Sequence, residues 1–434
     1  MSEGFIRAGF SPISHVEMEK DACNTIKTRA VYHFLKRNNK INIYYDYLQG
    51  NYTTEELYSK VPKRILDSVL NIEITDNSIK PIFDHINKFR KNKSVDLIIG
   101  GPPCQAYSLL GRHHKEIEND PRNKLYIQYG RFLKEFNPKA FVFENVPGML
   151  SANKGKHFKN LKTYFKRLGY QVHFDTLDAS EYGVLQARKR IIIIGWRKEN
   201  DFGFPEIIKV IKKYKVNDGF FDLPKLKPGD SLNIAKYETV TNEYLEKFEL
   251  RNGIDFTTQH IARPHNKQDL KIYEFAINKW NSDKVRMKYT DLPSELRTHK
   301  NTTSFIDRFK VVNGNGIAHT VVAHIAKDGH YYIHPDIEQC RSISVREAAR
   351  LQSFPDDFYF EGSRTAAFKQ IGNAVPVNLA AAMSRSLISF LNDLEKIDTR
   401  RHPKLLYVET PPRQLFLELN ETISEYKKSF SKNQ

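Results

Sequence analysis

The chain has 434 residues, too many for a single compact core, so its length predicts two domains and a possible tail. Its formal net charge of +17 predicts a polyanionic partner, with nucleic acid first and simple solubility as the alternative. Three widely separated cysteines exclude a disulfide framework, and neither a signal peptide nor an apolar run of membrane-spanning length is present, so we expect a cytoplasmic protein with no membrane partner.

The first predicted elements are a helix that closes at Gly9 and a strand over residues 13–17 that ends in Glu17. An acidic residue at a strand end can accept hydrogen bonds from ribose hydroxyls, although such a carboxylate is more often only solvated. Residues 71–75 predict the tip of a further strand.

Residues 95–108 contain the most informative stretch of the chain. An apolar run at residues 95–99 predicts a buried strand, and Gly-Gly-Pro-Pro then turns the chain sharply before Cys104. Ligands of open α/β sheets bind just past the carboxyl ends of the strands, so this thiol is placed to act as a nucleophile. The alternative is that Cys104 is a small buried apolar residue.

Alternating helices and strands follow. Residues 109–122 predict a mobile loop, and apolar spacing predicts a helix from Leu125 and another from Phe158. Buried strands are predicted at residues 140–146, with Glu144 at the tip, at 172–177 and at 191–194. This alternation predicts a parallel or mostly parallel α/β sheet.

From about residue 200 the pattern becomes irregular, which predicts an inserted second domain. Near its end, residues 319–334 predict a hairpin that turns at Asp328-Gly329, and the spacing of the histidines there fits no metal site. Regular structure returns with a capping box at Ser344 and Glu347. The predicted domains are residues 1–199 and 336–397 for the catalytic domain, 200–335 for the insert and 398–434 for a tail.

Five motifs occur in an order that resembles the DNA (cytosine-5) methyltransferases of bacterial restriction-modification systems. They are Gly101-Pro-Pro-Cys-Gln105, Glu144-Asn-Val146, Gln186-x-Arg188-x-Arg190, Arg346-Glu-x-Ala-Arg-Leu-Gln-x-Phe-Pro355 and Gln370-x-Gly-Asn-Ala-Val375. The resemblance implies a Rossmann-like class I methyltransferase sheet with an inserted target-recognition domain at residues 200–335. It also implies methylation of C5 of cytosine in a specific duplex DNA sequence, with S-adenosylmethionine as the cofactor.

The resemblance assigns the catalytic residues. Cys104 matches the nucleophile that adds to C6 of the base, and Glu144 matches the acid that binds and protonates N3. Arg190, supported by Arg188, matches the group that holds the cytosine O2. Because the target carbon is stacked inside the duplex, the base must be flipped out. Gln105, Ser108 and Arg122 match positions near the flipped nucleotide and its phosphates.

The cofactor residues are likewise assigned by the resemblance. Glu17 matches the ribose-binding acid and Met18 the residue that packs on adenine, while Glu73 and Ile74 match the adenine-edge motif. The remaining matches in this shell are Pro103, Leu125, Asn373 and Ala374.

One family motif is missing. A strand followed by Phe-x-Gly-x-Gly, which cradles the methionine end of the cofactor, is expected just before Met1 and is not in the sequence. A start codon assigned too late, a truncated gene or a second polypeptide would each explain this. We therefore expect the chain by itself to bind the cofactor weakly.

Two other functions stay open at this stage. A non-catalytic DNA-binding subunit would keep the motifs without binding the cofactor. An RNA methyltransferase would be expected to carry a Cys-Phe-Thr motif, which is not found. The sequence gives neither the recognition site nor evidence for a cognate restriction endonuclease, which the resemblance makes a possible partner.

Overall fold

The computed structural model of the protein describes residues 1–102, 125–297 and 301–401, with side chains up to residue 394. Its helices are α1 Ser2–Arg7, α2 Lys20–Arg37, α3 Ile41–Leu48, α4 Thr54–Ser59, α5 Lys63–Asp67, α6 Ile79–Arg90, α7 Leu125–Phe136, α8 Gly148–Ser151, α9 Lys156–Arg167, α10 Val216–Phe220, α11 Glu243–Lys247, α12 Lys267–Asp283, α13 Val345–Leu351, α14 Arg364–Asn373 and α15 Val377–Arg401. Its strands are β1 His15–Glu17, β2 Val69–Asn71, β3 Leu97–Gly100, β4 Ala140–Asn145, β5 Tyr170–Asp178, β6 Lys189–Arg197, β7 Ser231–Lys236 and β8 Phe256–Ile261.

The central sheet has the strand order β3-β4-β6-β5. β3 and β4 are parallel, whereas β6 runs antiparallel to both of its neighbours. Only residues 179–188 connect β5 to β6. That connection is too short for the crossover that a parallel pair needs, so the chain has to return antiparallel. The predicted α/β fold is confirmed, but the prediction of a mostly parallel sheet is wrong for the pairing, because β6 makes two of the three pairings antiparallel.

β1 and β2 form a separate two-stranded parallel sheet. Val16 of β1 and Leu70 of β2 nevertheless belong to the same hydrophobic cluster as Ile98 of β3. Ile82 and Ile86 of α6 complete this cluster with their buried face. The tips of β1 and β2 are therefore attached to the central sheet by packing under α6.

Helices cover both faces of the central sheet. The buried sides of α7 and α9 pack against Phe141 and Ile193 on one face. On the other face, Phe5 of α1 and the apolar side of α15 pack against Val142 and Ile194. Residues 364–394 contain an 18-residue stretch that is apolar enough to span a membrane by length and composition, but 67% of that stretch is buried inside the protein. Its apolar character is thus accounted for by packing.

The inserted residues have one hydrophobic cluster of their own, whose buried members lie between Ile272 and Ile333, and they share a larger cluster with the catalytic part of the chain. One large cluster joins Phe220 and Tyr244 of the insert to Ala348 of α13 and Phe368 of α14. The buried side chain of Arg350 reinforces this junction, because its guanidinium lies 2.5 Å from carboxylate oxygens of both Asp222 and Asp356. The domain boundaries stay a prediction, and α15 continues past residue 397 to Arg401.

The predicted hairpin at residues 319–334 is wrong. Residues 323–326 form a short 3-10 helix, and Ala318 pairs with Gln186 instead of with a neighbouring strand. Only the turn is kept, with Gly329 at a φ of 82°. The backbone ahead of the turn finds its hydrogen-bond partners in the catalytic part of the chain, which local sequence cannot indicate.

A buried histidine of β8 holds the start of α13. The capping box predicted at Ser344 and Glu347 is present. Nε2 of His260 lies 2.8 Å from the carbonyl oxygen of Pro224, so it must carry the proton that is donated there. Nδ1 therefore accepts the Ser344 hydroxyl at 2.8 Å. Burial lowers the pKa of His260 to about 4, against the opposing charge of Glu347.

We expect acid to weaken the fold through this histidine. A pKa lowered by folding stabilises the native state fully above the usual value near 6.5, and that stability is lost as pH falls from 6.5 towards 4. For His260 alone the loss is at most about 3 kcal/mol, at about 1.4 kcal/mol per pH unit. Urea unfolding at pH 7, 6 and 5 should show a flatter pH dependence for His260→Gln than for the wild type. If the free energy of unfolding fell with pH equally in the two proteins, the lowered pKa of His260 would not be the cause.

Candidate active site

An ion pair joins two of the sequence-predicted catalytic residues. Nε of Arg190 lies 2.8 Å from Oε1 of Glu144, and the two side chains are 11% and 12% exposed. Glu144 is near the end of β4, opposite Ile192 of β6, and Arg190 comes two residues earlier on β6. The antiparallel pairing therefore brings the last residues of β4 beside the first residues of β6.

Gly101, the residue after the last one of β3, lies very close to this pair. A Cβ atom added at Gly101 would lie 2.6 Å from Oε2 of Glu144. Real Cβ contacts are essentially never this short, so a glycine is required at this position for the carboxylate to stay where it is. The structure thus gives Gly101 a specific role beside Glu144.

Gly101→Ala should displace the Glu144 carboxylate from Arg190 and lower activity with little loss of stability, because Gly101 is exposed. A displacement of about 1 Å at a reacting group can cost about 100-fold in rate. Single-turnover methyl transfer and thermal unfolding measure the two effects. The matched control is Gly100→Ala, whose Cβ would meet the ring of Tyr129 at 2.9 Å and should lower stability instead. Normal turnover by Gly101→Ala would contradict the proposed role.

Asn145 connects the tip of β4 to Pro102, two residues after β3. Its Nδ2 donates to the carbonyl oxygen of Pro102 at 3.3 Å, and its Oδ1 accepts the Val146 amide at 2.9 Å. This side chain fixes the last described residue before the Cys104 segment. Five predicted site residues fall in the range 103–124 and so lie outside the described residues: Pro103, Cys104, Gln105, Ser108 and Arg122.

Arg188 does not lie beside Glu144, where its predicted catalytic role would place it. Its side chain is buried, with the residue 2% exposed. The guanidinium donates to the carbonyl oxygens of Val321, Gly372 and Ala374 at 2.5, 3.1 and 2.9 Å. It is held by backbone carbonyls and does not accompany Arg190 at Glu144.

The predicted ribose-binding acid is at the tip of β1. Oε1 of Glu17 accepts the Glu19 amide at 2.9 Å, and Oε2 has no hydrogen-bond partner among the described residues. Met18 beside it is 53% exposed, which is unusual for a large apolar side chain. Asn71 of β2 donates to the carbonyl oxygens of Glu17 and Met18 at 3.1 and 2.9 Å, so it ties the two strand tips together.

The other predicted cofactor residues are at element ends. Glu73 and Ile74 follow the end of β2, and Ile74 packs into the cluster under α6. Leu125 is the first residue of α7, and Asn373 is the exposed last residue of α14. Ala374 comes next and is in contact with Arg188 through its carbonyl oxygen.

Sequence reasoning assigned no individual role to three residues that organise the site, although two of them lie inside the quoted motifs. They are Gly101, Asn145 and Asn71, whose contacts are given above. Gly101 and Asn145 lie within two residues of a predicted strand end, and Asn71 begins the strand tip predicted at residues 71–75. An amide or a glycine at the carboxyl end of a buried strand is the signal that could have found them.

Comparison with known proteins gives consistent results. The sequence model of the family described as "C-5 cytosine-specific DNA methylase" matches residues 53–389. The chain is 41% identical to "Type II methyltransferase M.Bpa9945I" of Bacillus paralicheniformis, over 90% of this chain and 97% of that protein. It is 30% identical to "Type II methyltransferase M1.HphI" of Haemophilus parahaemolyticus, over 89% of this chain and 83% of that protein.

A solved structure supports the fold. The crystal structure of a "putative DNA modification methyltransferase" encoded within an E. coli prophage superposes with a TM-score of 0.60. The sequences are 22% identical, and the superposition covers 90% of this chain and 96% of that chain. The architecture of strands and covering helices described above is therefore the Rossmann-like methyltransferase fold that the motifs predicted.

Proposed function

The chain belongs to the C-5 cytosine-specific DNA methylase family and is a DNA (cytosine-5)-methyltransferase, and from this premise we propose a specific reaction for it. It methylates C5 of a cytosine that it flips out of one particular duplex DNA sequence. The curated relatives are Type II methyltransferases, which supports a role as the modification enzyme of a restriction-modification system. A cognate restriction endonuclease would be its functional partner.

The proposed chemistry begins with Cys104. Its thiolate adds to C6 of the flipped cytosine, which makes C5 nucleophilic enough to accept a methyl group. Glu144 binds and protonates N3, so that the electron pair released by the addition is stabilised. Arg190 holds O2 of the base and also orients Glu144 through their 2.8 Å contact. Once C5 carries the methyl group and the donor is left as a neutral thioether, loss of the proton from C5 expels the Cys104 thiolate, and return of the N3 proton to Glu144 restores the aromatic ring.

The residues at the tips of β1 and β2 fit the methyl donor. Oε2 of Glu17, which has no hydrogen-bond partner in the part of the chain that the structure describes, can accept a ribose hydroxyl, and the exposed side chain of Met18 can pack on an adenine ring. The other residues proposed to surround the methyl donor are Glu73, Ile74, Pro103, Leu125, Asn373 and Ala374. S-adenosylmethionine, when bound there, supplies an electrophilic methyl group.

Residues 200–335 are proposed to recognise the DNA sequence. The net charge of +17 supports a surface that neutralises phosphates. The catalytic cysteine, which lies in residues 103–124, would act only on a base that has left the stack. Gln105, Ser108 and Arg122 are proposed to contact the flipped nucleotide and its phosphates.

The observation that carries this proposal is the Glu144–Arg190 pair beside Gly101, three residues before Cys104 in the sequence. The test is to incubate the purified chain with duplex DNA and radiolabelled S-adenosylmethionine, and to map the product by bisulfite sequencing. Because the chain by itself is expected to bind the cofactor weakly, S-adenosylmethionine is raised until the rate no longer increases, and we then expect 5-methylcytosine within one fixed sequence context. Methylation of transfer RNA with none of duplex DNA would overturn the proposal, as would label on any atom other than C5.

A further inference from the structure

The segment that leads into β6 carries three polar side chains at alternate positions. Because alternate residues of an extended chain point to the same side, Gln186, Arg188 and Arg190 share one face. Arg190 contacts Glu144, but the other two reach away from the catalytic pair. Both are fully buried, at 0% and 2% exposure, so their contacts are fixed by packing.

Gln186 and Arg188 both hold the backbone of Val321. The amide of Val321 donates to Oε1 of Gln186 at 2.8 Å. The carbonyl oxygen of the same residue accepts from Nη1 of Arg188 at 2.5 Å. Gln186 and Arg188, which are neighbours on one face, thus satisfy both the amide and the carbonyl group of Val321. Val321 lies near the end of the proposed target-recognition domain.

Backbone pairing extends this attachment. The amide of Ala187 donates to the carbonyl oxygen of Ala318 at 2.8 Å. The amide of Ala318 in turn donates to the carbonyl oxygen of Leu185 at 2.8 Å. The hydroxyl of Thr320 donates to the carbonyl oxygen of Ala187 at 2.6 Å. Residues 185–188 and 318–321 are therefore joined along their length, and we call this pairing the Val321 junction.

The cofactor motif meets the same junction. Arg188 also donates to the carbonyl oxygens of Gly372 and Ala374, which flank Asn373. A Cβ atom at Gly372 would lie 2.4 Å from backbone atoms of both Val322 and Ala323. The backbone that follows Val321 thus packs directly on the end of α14, with no space for a side chain between them.

We propose that Gln186 and Arg188 are positioning residues that couple recognition of the DNA target to the Glu144–Arg190 pair and to the cofactor-binding end of α14, through the Val321 junction. This inference rests on the proposed function. Arg188 is then not a group that touches the base.

The physical basis is that buried, hydrogen-bonded residues continue without a break from the insert to the catalytic part of the chain. After Val321 the chain enters residues 323–326, whose end Arg263 holds through the carbonyl oxygens of Ile325 and Ala326. A displacement of this segment on the correct DNA sequence would move Val321 and, through Arg188, both Arg190 and Ala374. Packed elements with satisfied polar groups transmit displacement because they shift together between discrete arrangements.

The test compares Arg188→Lys with Lys189→Gln as the matched control. A lysine can reach one carbonyl oxygen but cannot bond three at once. Lys189 is exposed and points to the opposite side of the same segment. The measured quantity is the ratio of single-turnover rates on the mapped target and on targets with one substituted base pair. Active-site titration first corrects for the fraction of folded enzyme.

We expect Arg188→Lys to lower this ratio by about tenfold, the scale of changes along coupled networks, and Lys189→Gln to leave it unchanged. A merely structural role would lower both rates equally, so an unchanged ratio in Arg188→Lys overturns the proposal. Thr320→Val removes one hydrogen bond from the other side of the junction. Thr320→Val should also lower the ratio, by a smaller factor than Arg188→Lys. If Arg188→Lys does not fold, Thr320→Val is the variant that tests the proposal.

Hydrogen exchange separates this inference from the proposed function. In Arg188→Lys and Thr320→Val, the amides of Ala318 and Val321 should exchange faster than in the wild type, whether or not the protein is active. Unchanged protection would show that the junction does not depend on these side chains and would overturn the inference alone. If the wild-type chain methylated no duplex DNA, the proposed function would be wrong, and the proposed coupling between DNA recognition and the Glu144–Arg190 pair would be wrong with it.

Discussion

Replacing Cys104 by serine should reduce methyl transfer below detection while leaving the affinity for duplex DNA within a few-fold of the wild type. The thiolate is the attacking species in the proposed reaction, and a serine hydroxyl is far less acidic, so it supplies no comparable anion near neutral pH. The lost step is the addition to C6, on which activation of C5 depends. Docking on the phosphates uses other residues and should persist.

The measurement pairs a methyl-transfer assay with DNA binding by fluorescence anisotropy. Cys340→Ser is the matched control, because burial raises the pKa of that thiol and its Sγ lies 3.5 Å from the carbonyl oxygen of Leu270. This control should retain wild-type turnover. Normal turnover by Cys104→Ser would show that the nucleophile is another group.

Glu144→Gln should lower the rate of methyl transfer by about 100-fold or more, the usual scale of a general-acid contribution. Glutamine has nearly the same shape, and its amide oxygen can still accept from Nε of Arg190. The change therefore removes the exchangeable proton and the charge without leaving a cavity. The rate should fall in single-turnover experiments, where product release does not contribute.

The matched control for that variant is Glu181→Gln, at a half-exposed carboxylate that pairs with Lys209 on the surface. It should leave the rate and the thermal stability unchanged. If Glu144→Gln turned over like this control, Glu144 would be an orienting residue for Arg190 only. Loss of DNA binding by Glu144→Gln would point instead to a disturbed fold.

The sequence by itself determined the elements whose causes are local. The Ser344–Glu347 capping box is formed as predicted, because its hydrogen bonds join residues three apart. The helix from Leu125 buries Tyr129, Leu133 and Phe136, as the apolar spacing indicated. The same reasoning correctly placed Glu144 near the end of a buried strand, and the order of the motifs indicated the family.

Only the tertiary structure decided which of these elements meet. Arg188 and Arg190 are two residues apart in the same motif, yet one binds three carbonyl oxygens and the other binds Glu144. The partners of Arg188 are more than 130 residues away, at Val321, Gly372 and Ala374. A buried guanidinium must find acceptors for its donors, but a local pattern cannot say which distant carbonyl groups will supply them. That choice is made when the insert and α14 pack against the sheet.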